Sequence, residues 1–96
     1  MNDKELYQQK KQAQLDEWKA EVAKLKAKAS GASADAQLEM NKQIEALESH
    51  IEKNKAKLSE FSMAGADAWE SLKEGMESAW NSLKSAMSDA AAKFKR

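Results

Sequence analysis

Residues 67–94 read DAWESLKEGMESAWNSLKSAMSDAAAKF, and their apolar pattern repeats every eleven residues. Trp69 returns as Trp80, and Leu72 returns as Leu83. Eleven residues make three helical turns at about 3.67 residues per turn, so equivalent positions fall on one side of a nearly straight helix. The stretch therefore predicts an amphipathic helix with an apolar arc about 150° wide, and something has to cover this arc.

The apolar arc is the predicted assembly or lipid face of the protein. Its cover is a helix of the same chain, another copy, or a lipid surface. Tryptophan at the lysine-lined edge of the arc suits a lipid interface, and it suits helix packing equally well. Residues 60–96 carry six acidic and five basic side chains, so attraction to anionic lipid is weak and packing is favoured. The predicted face consists of Phe61, Trp69, Leu72, Met76, Trp80, Leu83, Met87 and Phe94.

The composition of the 96-residue chain predicts one small helical domain. It contains no proline and no cysteine, and 33% of its residues are charged. The 16 basic and 16 acidic residues alternate along the chain, so no basic patch forms and nucleic acid is not an expected partner. The N-terminus is polar and no apolar run approaches ~20 residues, which predicts neither a signal peptide nor a membrane span. We expect a cytoplasmic protein.

Two apolar seams with alternating spacings of three and four residues precede the repeat, as in a coiled coil. They are separated by a turn at about residues 30–33. Gly31 is predicted to take the left-handed conformation after the first helix, and Ser33 is predicted to cap the second. The pattern predicts an antiparallel helical hairpin. Its first seam contains Tyr7, Leu15, Trp18, Val22 and Leu25, and its second contains Met40, Ile44, Leu47, Ile51 and Leu58.

The register of the hairpin follows from the rule that facing positions in antiparallel helices have residue numbers with a constant sum. The two seams can be paired so that every sum is 65 or 66. The same pairing places Lys11 opposite Asn54, a polar layer of the kind that specifies register at a cost in stability. The predicted apolar pairs are Leu25 with Met40, Val22 with Ile44, Trp18 with Leu47, Leu15 with Ile51, and Tyr7 with Leu58.

The segment around Gly65 decides between two all-α architectures. Phe61, Gly65, Ala68 and Leu72 keep the spacing of the seam, which favours a second helix that continues, straight or kinked, into the C-terminal amphipathic helix. The hairpin would then be residues 1–62, and the amphipathic helix of residues 63–96 would form part of the same domain or an assembly arm. The alternative is a three-helix bundle, in which Asp67 and Glu70 form an acidic capping box that starts a third helix.

The sequence offers no set of residues that predicts catalysis. His50 is the only histidine and lies beside the second seam, without a second histidine or a cysteine to share a metal ion. The serines of the repeat have no neighbouring base, and the carboxylates alternate with lysines along helix faces. We therefore predict no enzymatic activity, no cofactor, no metal site and no small-molecule substrate.

Four segments carry a family resemblance: Asp3-Lys4-Glu5-Leu6-Tyr7, Leu15-Asp16-Glu17-Trp18-Lys19-Ala20-Glu21-Val22, Ile44-Glu45-Ala46-Leu47, and the Trp-Glu-Ser-Leu-Lys of residues 69–73. Through them the chain resembles small bacterial coiled-coil proteins described as stress-responsive. The resemblance spans most of the chain, and it implies no catalytic residues. Separately, the eleven-residue repeat is similar to those of apolipoproteins, synucleins and late-embryogenesis proteins, which fold on lipid or on drying.

Two functions are expected from these features. The first is a non-enzymatic homo-oligomer that assembles through the apolar face of residues 61–94 and serves in scaffolding or stress protection. The alternative is a peripheral lipid-binding protein whose C-terminal helix lies in the membrane interface while the hairpin projects into water.

Overall fold

The computed structural model describes residues 2–94, so that Met1, Lys95 and Arg96 lie outside it. The described residues form three helices: α1 (Asp3–Ser30), α2 (Ala34–Met63) and α3 (Trp69–Phe94). α1 and α2 form an antiparallel hairpin, and α3 returns along it, antiparallel to α2. The bundle measures 52 × 20 × 18 Å. The predicted all-α class and helical hairpin are confirmed.

The ends of the hairpin helices are capped by polar side chains. Asn2 Oδ1 accepts a hydrogen bond from the Glu5 N–H at 2.8 Å at the start of α1. Ser33 Oγ accepts from the Ala36 N–H at 3.4 Å, which confirms the predicted cap of α2. Gly31 has φ −94° and ψ 0°, so its predicted left-handed conformation is wrong. Its N–H instead bonds back to the Lys28 carbonyl at 3.2 Å, which closes the end of α1 with a tight turn.

Of the two predicted architectures, the structure has the three-helix bundle. α2 ends at Met63, and Ala64 takes an extended conformation with φ −70° and ψ 143°, so the helix does not continue through Gly65. The physical reason is that α3 finds its apolar cover on the hairpin of its own chain. The narrow seam between α1 and α2 is wide enough to cover α3 because Tyr7 and Phe61 add aromatic surface on the side of the hairpin that faces α3.

The core of the bundle joins both seams to the apolar arc. Partly buried hydrophobic residues pack against it, including Tyr7, Trp18, Met40 and Trp69. The predicted seams and most of the predicted arc therefore share one interior. The buried hydrophobic residues are Leu15, Val22, Leu25, Ala29, Ile44, Leu47, Ile51, Leu58, Phe61, Met76, Trp80, Leu83, Met87, Ala90 and Phe94.

The residue pairs of the predicted hairpin register stay a prediction, because the side-chain contacts between α1 and α2 range from a residue-number sum of 66 for Lys4 with Ser62 to 74 for Lys26 with Glu48. Tyr7, predicted to face Leu58, packs its ring on Phe61 with the centroids 5.3 Å apart. Val22, predicted to face Ile44, lines a surface groove together with Ile51. Ala29, only 2% exposed, adds a buried residue to the first seam next to the turn.

The segment that joins α2 to α3, residues 64–68, is called the hinge below. The Gly65 carbonyl accepts hydrogen bonds from the N–H groups of Ala68 at 3.0 Å and Trp69 at 3.3 Å. This backbone turn starts α3, so the predicted capping box at Asp67 is not used. Lys4 of α1 reaches across to the end of α2, where its Nζ donates to the carbonyls of Ser62 at 3.1 Å and Ala64 at 2.7 Å.

Candidate functional site

The interface between α3 and the hairpin is the candidate functional site. It contains most of the predicted assembly or lipid face: Phe61 and Leu83 are 0% exposed, and Trp80 is 2% exposed. Met76, Met87 and Phe94 are also buried there. In the single-chain bundle described above, called the closed bundle below, the hairpin of the same chain covers this face. Leu72, at 38% exposed, lies at the margin.

Trp80 is the largest fully buried side chain of the interface, and it is anchored by a hydrogen bond as well as by packing. Its indole Nε1 donates to the Lys11 carbonyl of α1 at 3.3 Å. The ammonium group of Lys11 lies 5.8 Å from the centroid of its ring, within the range of a cation–π interaction. A position that the sequence assigned to the edge of the arc is therefore the centre of the contact between α1 and α3.

A polar cluster borders Trp80 on the same side of the bundle, and it consists of Tyr7, Lys11, Lys73 and Glu77. The Tyr7 hydroxyl donates to Glu77 Oε1 at 2.5 Å, and Lys11 Nζ lies 3.0 Å from the same oxygen. The ammonium groups of Lys11 and Lys73 each lie 5.2 Å from the centroid of the Tyr7 ring. This polar cluster ties α1 to α3 with charge-assisted bonds.

The predicted polar layer is present, but its partners are different. Lys11 and Asn54 are 6% and 1% exposed, as expected for residues inside the seam. Their polar groups bond to α3 and not to each other: Lys11 pairs with Glu77, and Asn54 Nδ2 donates to the Ala79 carbonyl at 3.2 Å. The layer therefore positions the third helix against the hairpin, which a two-helix prediction could not include.

Replacement of Asn54 by leucine should raise the free energy of unfolding by about 1 kcal/mol. The Ala79 carbonyl keeps its helical bond from the N–H four residues later, so the substitution leaves no unpaired acceptor there and adds apolar burial. Urea unfolding followed by circular dichroism measures the change. A lower midpoint for Asn54→Leu would show that the bond to Ala79 contributes more than the added burial.

The polar cluster changes the acidity of its members. The pKa of the Glu77 carboxyl is lowered, first by the hydrogen bond from Tyr7, then by the hydrogen bond from Lys11, and also by the nearby positive charges of Lys11 and Lys73. The pKa of the Tyr7 phenol is raised, chiefly by burial and further by its bond to the Glu77 carboxylate. Both shifts favour a neutral phenol that donates to an ionised carboxylate.

Acid should weaken the docking of α3 through Glu77. Because its pKa is lowered in the folded protein, the ionised carboxylate stabilises the fold above the ordinary pKa of 4.5, and this contribution is lost as the pH falls through the lowered value. The Glu77 side chain is 46% exposed, so solvent screens the interaction and the effect is modest. Unfolding free energies between about pH 6 and about pH 2 should fall less steeply for Glu77→Gln than for the wild type. Glu74→Gln, at an exposed position of the same helix, is the control, and equal slopes for both variants would contradict the role of Glu77.

Three aromatic rings close the end of the bundle next to the hinge. Phe61 packs on Tyr7, and its ring meets Trp69 edge-on with the centroids 5.8 Å apart. Trp69 is half-buried, with the Lys73 ammonium 5.8 Å from its ring centroid. Among the predicted face residues, Phe61 and Trp69 thus hold α2 and α3 together at the point where the chain reverses.

Sequence reasoning missed two contributors to this site. Lys4 caps the end of α2 from a position 58 residues away from Ser62, and no local signal marks such a contact. Glu77 is not among the predicted face residues, although it follows Met76 directly and lies three residues before Trp80, which puts it at the border of the arc. The Gln14 side-chain oxygen is buried and has no hydrogen-bond partner among residues 2–94.

No group of three or more histidine, cysteine or acidic side chains within residues 2–94 is placed to hold a metal ion. His50 is half-buried in a shallow groove that it shares with Asp89 and Lys93. None of the three helices is long and apolar enough to cross a membrane within the part of the chain that the structure describes.

The fold and the site define an antiparallel three-helix bundle whose third helix is bound through an aromatic and charged interface. Comparison with protein-family models, with curated protein sequences and with solved structures found no match for this chain. Its function is therefore inferred from its own residues.

Proposed function

We propose that this chain is a non-enzymatic helical protein that self-associates and acts as a scaffold in the cytoplasm. Its resemblance to small coiled-coil proteins described as stress-responsive implies a role in stress protection. One observation carries the self-association: the hairpin covers the apolar arc of α3, and the hinge that joins them consists of small, mostly exposed residues. α3 is thus bound to the hairpin much as a separate helix would be.

Each copy of the chain carries both halves of this interface. The α3 helix of one copy fits the hairpin of another through the contacts that it makes within its own chain, including Trp80 on the Lys11 carbonyl and Glu77 on Tyr7. Exchange of an identical element is a route to dimers that needs no new surface. The closed bundle and the assembly then differ mainly in the conformation of the hinge. A higher protein concentration favours the assembly.

Sedimentation velocity of the full chain, from micromolar to near-millimolar concentration, tests self-association. We expect a monomer in the dilute samples and a reversible, concentration-dependent increase in mass, with unchanged helix content. A monomer at every concentration would overturn the proposal.

A lipid surface is the second candidate cover for α3. α3 is the most amphipathic of the three helices, and Trp69 lies half-buried at the edge of its arc with Lys73 beside its ring. Tryptophan and lysine at such an edge match the depth of lipid headgroups. Flotation with neutral and with anionic vesicles tests this candidate. Recovery of the protein with the vesicles, together with a blue shift of tryptophan emission, would favour lipid over self-association.

A further inference from the structure

The hinge contains nothing that forces the chain to reverse. Its residues, Ala64-Gly65-Ala66-Asp67-Ala68, include no proline. No residue of the described chain has a positive φ, so Gly65 is not required for a left-handed conformation. A Cβ atom added at Gly65 would meet nothing within 4 Å. Alanine is the strongest helix former, so the hinge is compatible with a helix.

The seam spacing continues through the hinge although the closed bundle makes no use of it there. Phe61, Gly65, Ala68 and Leu72 follow one another at intervals of four, three and four residues. Of these, Phe61 is buried, whereas Gly65, Ala68 and Leu72 are exposed. Apolar and small residues in seam positions are expected to face a partner helix. In the closed bundle Leu72 meets α2 only at the margin of the interface, beside Lys57 and Glu60, and Gly65 and Ala68 are exposed.

The hydrogen bond between Asn54 of α2 and Ala79 of α3 gives this helix pair a register centred on the Ala66–Asp67 bond. Asn54 and Ala79, which are joined by a hydrogen bond, lie at equal distances in sequence on either side of it. Phe61 and Leu72 also lie at equal distances from this bond, and so do Gly65 and Ala68. An antiparallel pair of uninterrupted helices from two copies would therefore keep the α2–α3 register and extend it across the centre.

We infer that this chain has an open form in which α2, the hinge and α3 are one helix from Ala34 to Phe94, and that two open copies pair about a two-fold axis at the Ala66–Asp67 bond. This inference rests on the proposed function and specifies its geometry. Each hairpin receives the α3 helix of the partner, and Leu72 of each copy packs on Phe61 of the other. Gly65 and Ala68 meet at the axis, where small side chains allow close approach. The interface is isologous, so it closes as a dimer.

Lys4 holds the closed form. The last turn of α2 has no basic residue of its own, and the Lys4 ammonium binds the carbonyls of Ser62 and Ala64. In the open form these carbonyls accept helical bonds from Ala66 and Ala68, and Lys4 has no exposed helix end to bind.

Two hinge variants shift the balance in opposite directions and leave the core unchanged. Gly65→Ala favours the open helix about fivefold in each copy, so the dimer association constant should rise about 25-fold. Ala66→Pro suits the backbone turn that precedes α3, since the Ala66 N–H donates no backbone hydrogen bond within residues 2–94. In the open helix, proline removes a bond and clashes with the preceding turn, which disfavours that form by more than about 100-fold in each copy. Sedimentation velocity should find Ala66→Pro monomeric where the wild type dimerises.

A mixture of charge variants tests the exchange itself. Lys11→Glu places two acidic side chains against each other within one chain, and Glu77→Lys places two basic side chains there. In an exchanged heterodimer, the new carboxylate of the Lys11→Glu chain would meet the new ammonium group of the Glu77→Lys chain, and the second interface would be wild type. Mixing should therefore produce a dimer that contains one chain of each kind, resolved by native mass spectrometry, with a higher melting temperature than either variant alone.

The outcomes separate this inference from the proposed function. Dimers that respond to both hinge variants and form selectively on mixing support it. Dimers that respond to neither variant, or that do not form selectively on mixing, overturn the exchange and leave self-association through another surface. Monomers in every sample, including Gly65→Ala at high concentration, overturn both. The hinge comparison stands even if a charge variant fails to fold.

Discussion

Leu83→Glu should release α3 from the hairpin, whereas Leu72→Glu should leave the bundle folded. The two leucines occupy equivalent places in the eleven-residue repeat, but Leu83 is 0% exposed and Leu72 is 38% exposed. Loss of a buried leucine costs about 2–5 kcal/mol, and a carboxyl group in its place must also be desolvated, so we expect at least about 4 kcal/mol for Leu83→Glu. Leu72→Glu should cost under about 1 kcal/mol. Urea unfolding of dilute samples and helix content by circular dichroism measure the difference.

Leu83→Met is the matched control at the buried position. It conserves volume and apolar character, so its cost should stay below about 1.5 kcal/mol. Equal losses of stability for Leu72→Glu and Leu83→Glu would contradict the packing of α3 on the hairpin, in which Leu83 is buried and Leu72 lies at the margin. That result would instead suit an assembly in which the whole arc is covered by another copy.

Trp80→Ala should be the most damaging truncation, with a loss of about 3–5 kcal/mol. The ring is 2% exposed, and its removal leaves a cavity between α1 and α3 that the helices can close only in part. The Lys11 ammonium also loses one of the two rings that it faces. Loss of far-ultraviolet ellipticity together with faster hydrogen exchange in α3 should accompany the fall in unfolding free energy.

Two further substitutions test how much of this loss of stability comes from the Trp80 hydrogen bond and whether it is specific to this tryptophan. Trp80→Phe keeps an aromatic ring in the interface and removes the bond to the Lys11 carbonyl, so it should cost about 1–2 kcal/mol. Trp18→Ala removes a tryptophan of the first seam that is only partly buried, and it should cost less than Trp80→Ala. If Trp18→Ala proved as damaging as Trp80→Ala, the third helix would not depend on the contact described here.

The two proposals agree in what they require of α3. In the closed bundle and in the exchanged dimer, Trp80 and Leu83 are buried against a hairpin, and Glu77 bonds to Tyr7 and Lys11. Core substitutions therefore report how α3 docks, and only the hinge variants report which copy supplies it. A lipid-bound state differs because it would expose these side chains to acyl chains and release the Tyr7–Glu77 bond.

Much of the fold follows from the sequence alone. The three- and four-residue spacing of the first seam identified the buried face of α1, which includes Leu15, Val22 and Leu25. The eleven-residue repeat identified the buried face of α3, which includes Met76, Trp80 and Leu83. Periodicity determines which residues share a face of a helix, because the rise and twist of a helix are fixed by its backbone bonds. The all-α class and the Ser33 cap follow from the same local rules.

Which surface packs against each apolar helix face was decided only by the tertiary structure. Apolar burial has no direction, so the arc of α3 is satisfied by a hairpin, a second copy or lipid, and its pattern does not distinguish them. The end of α2 depends on Lys4, and the partners of Lys11 and Asn54 lie on a helix distant in sequence. The packing of Tyr7 on Phe61, at the end of the hairpin away from the turn, likewise brings together rings that neither seam pattern pairs. These contacts depend on which segments meet in space, and a pattern read along one helix carries no information about its neighbour.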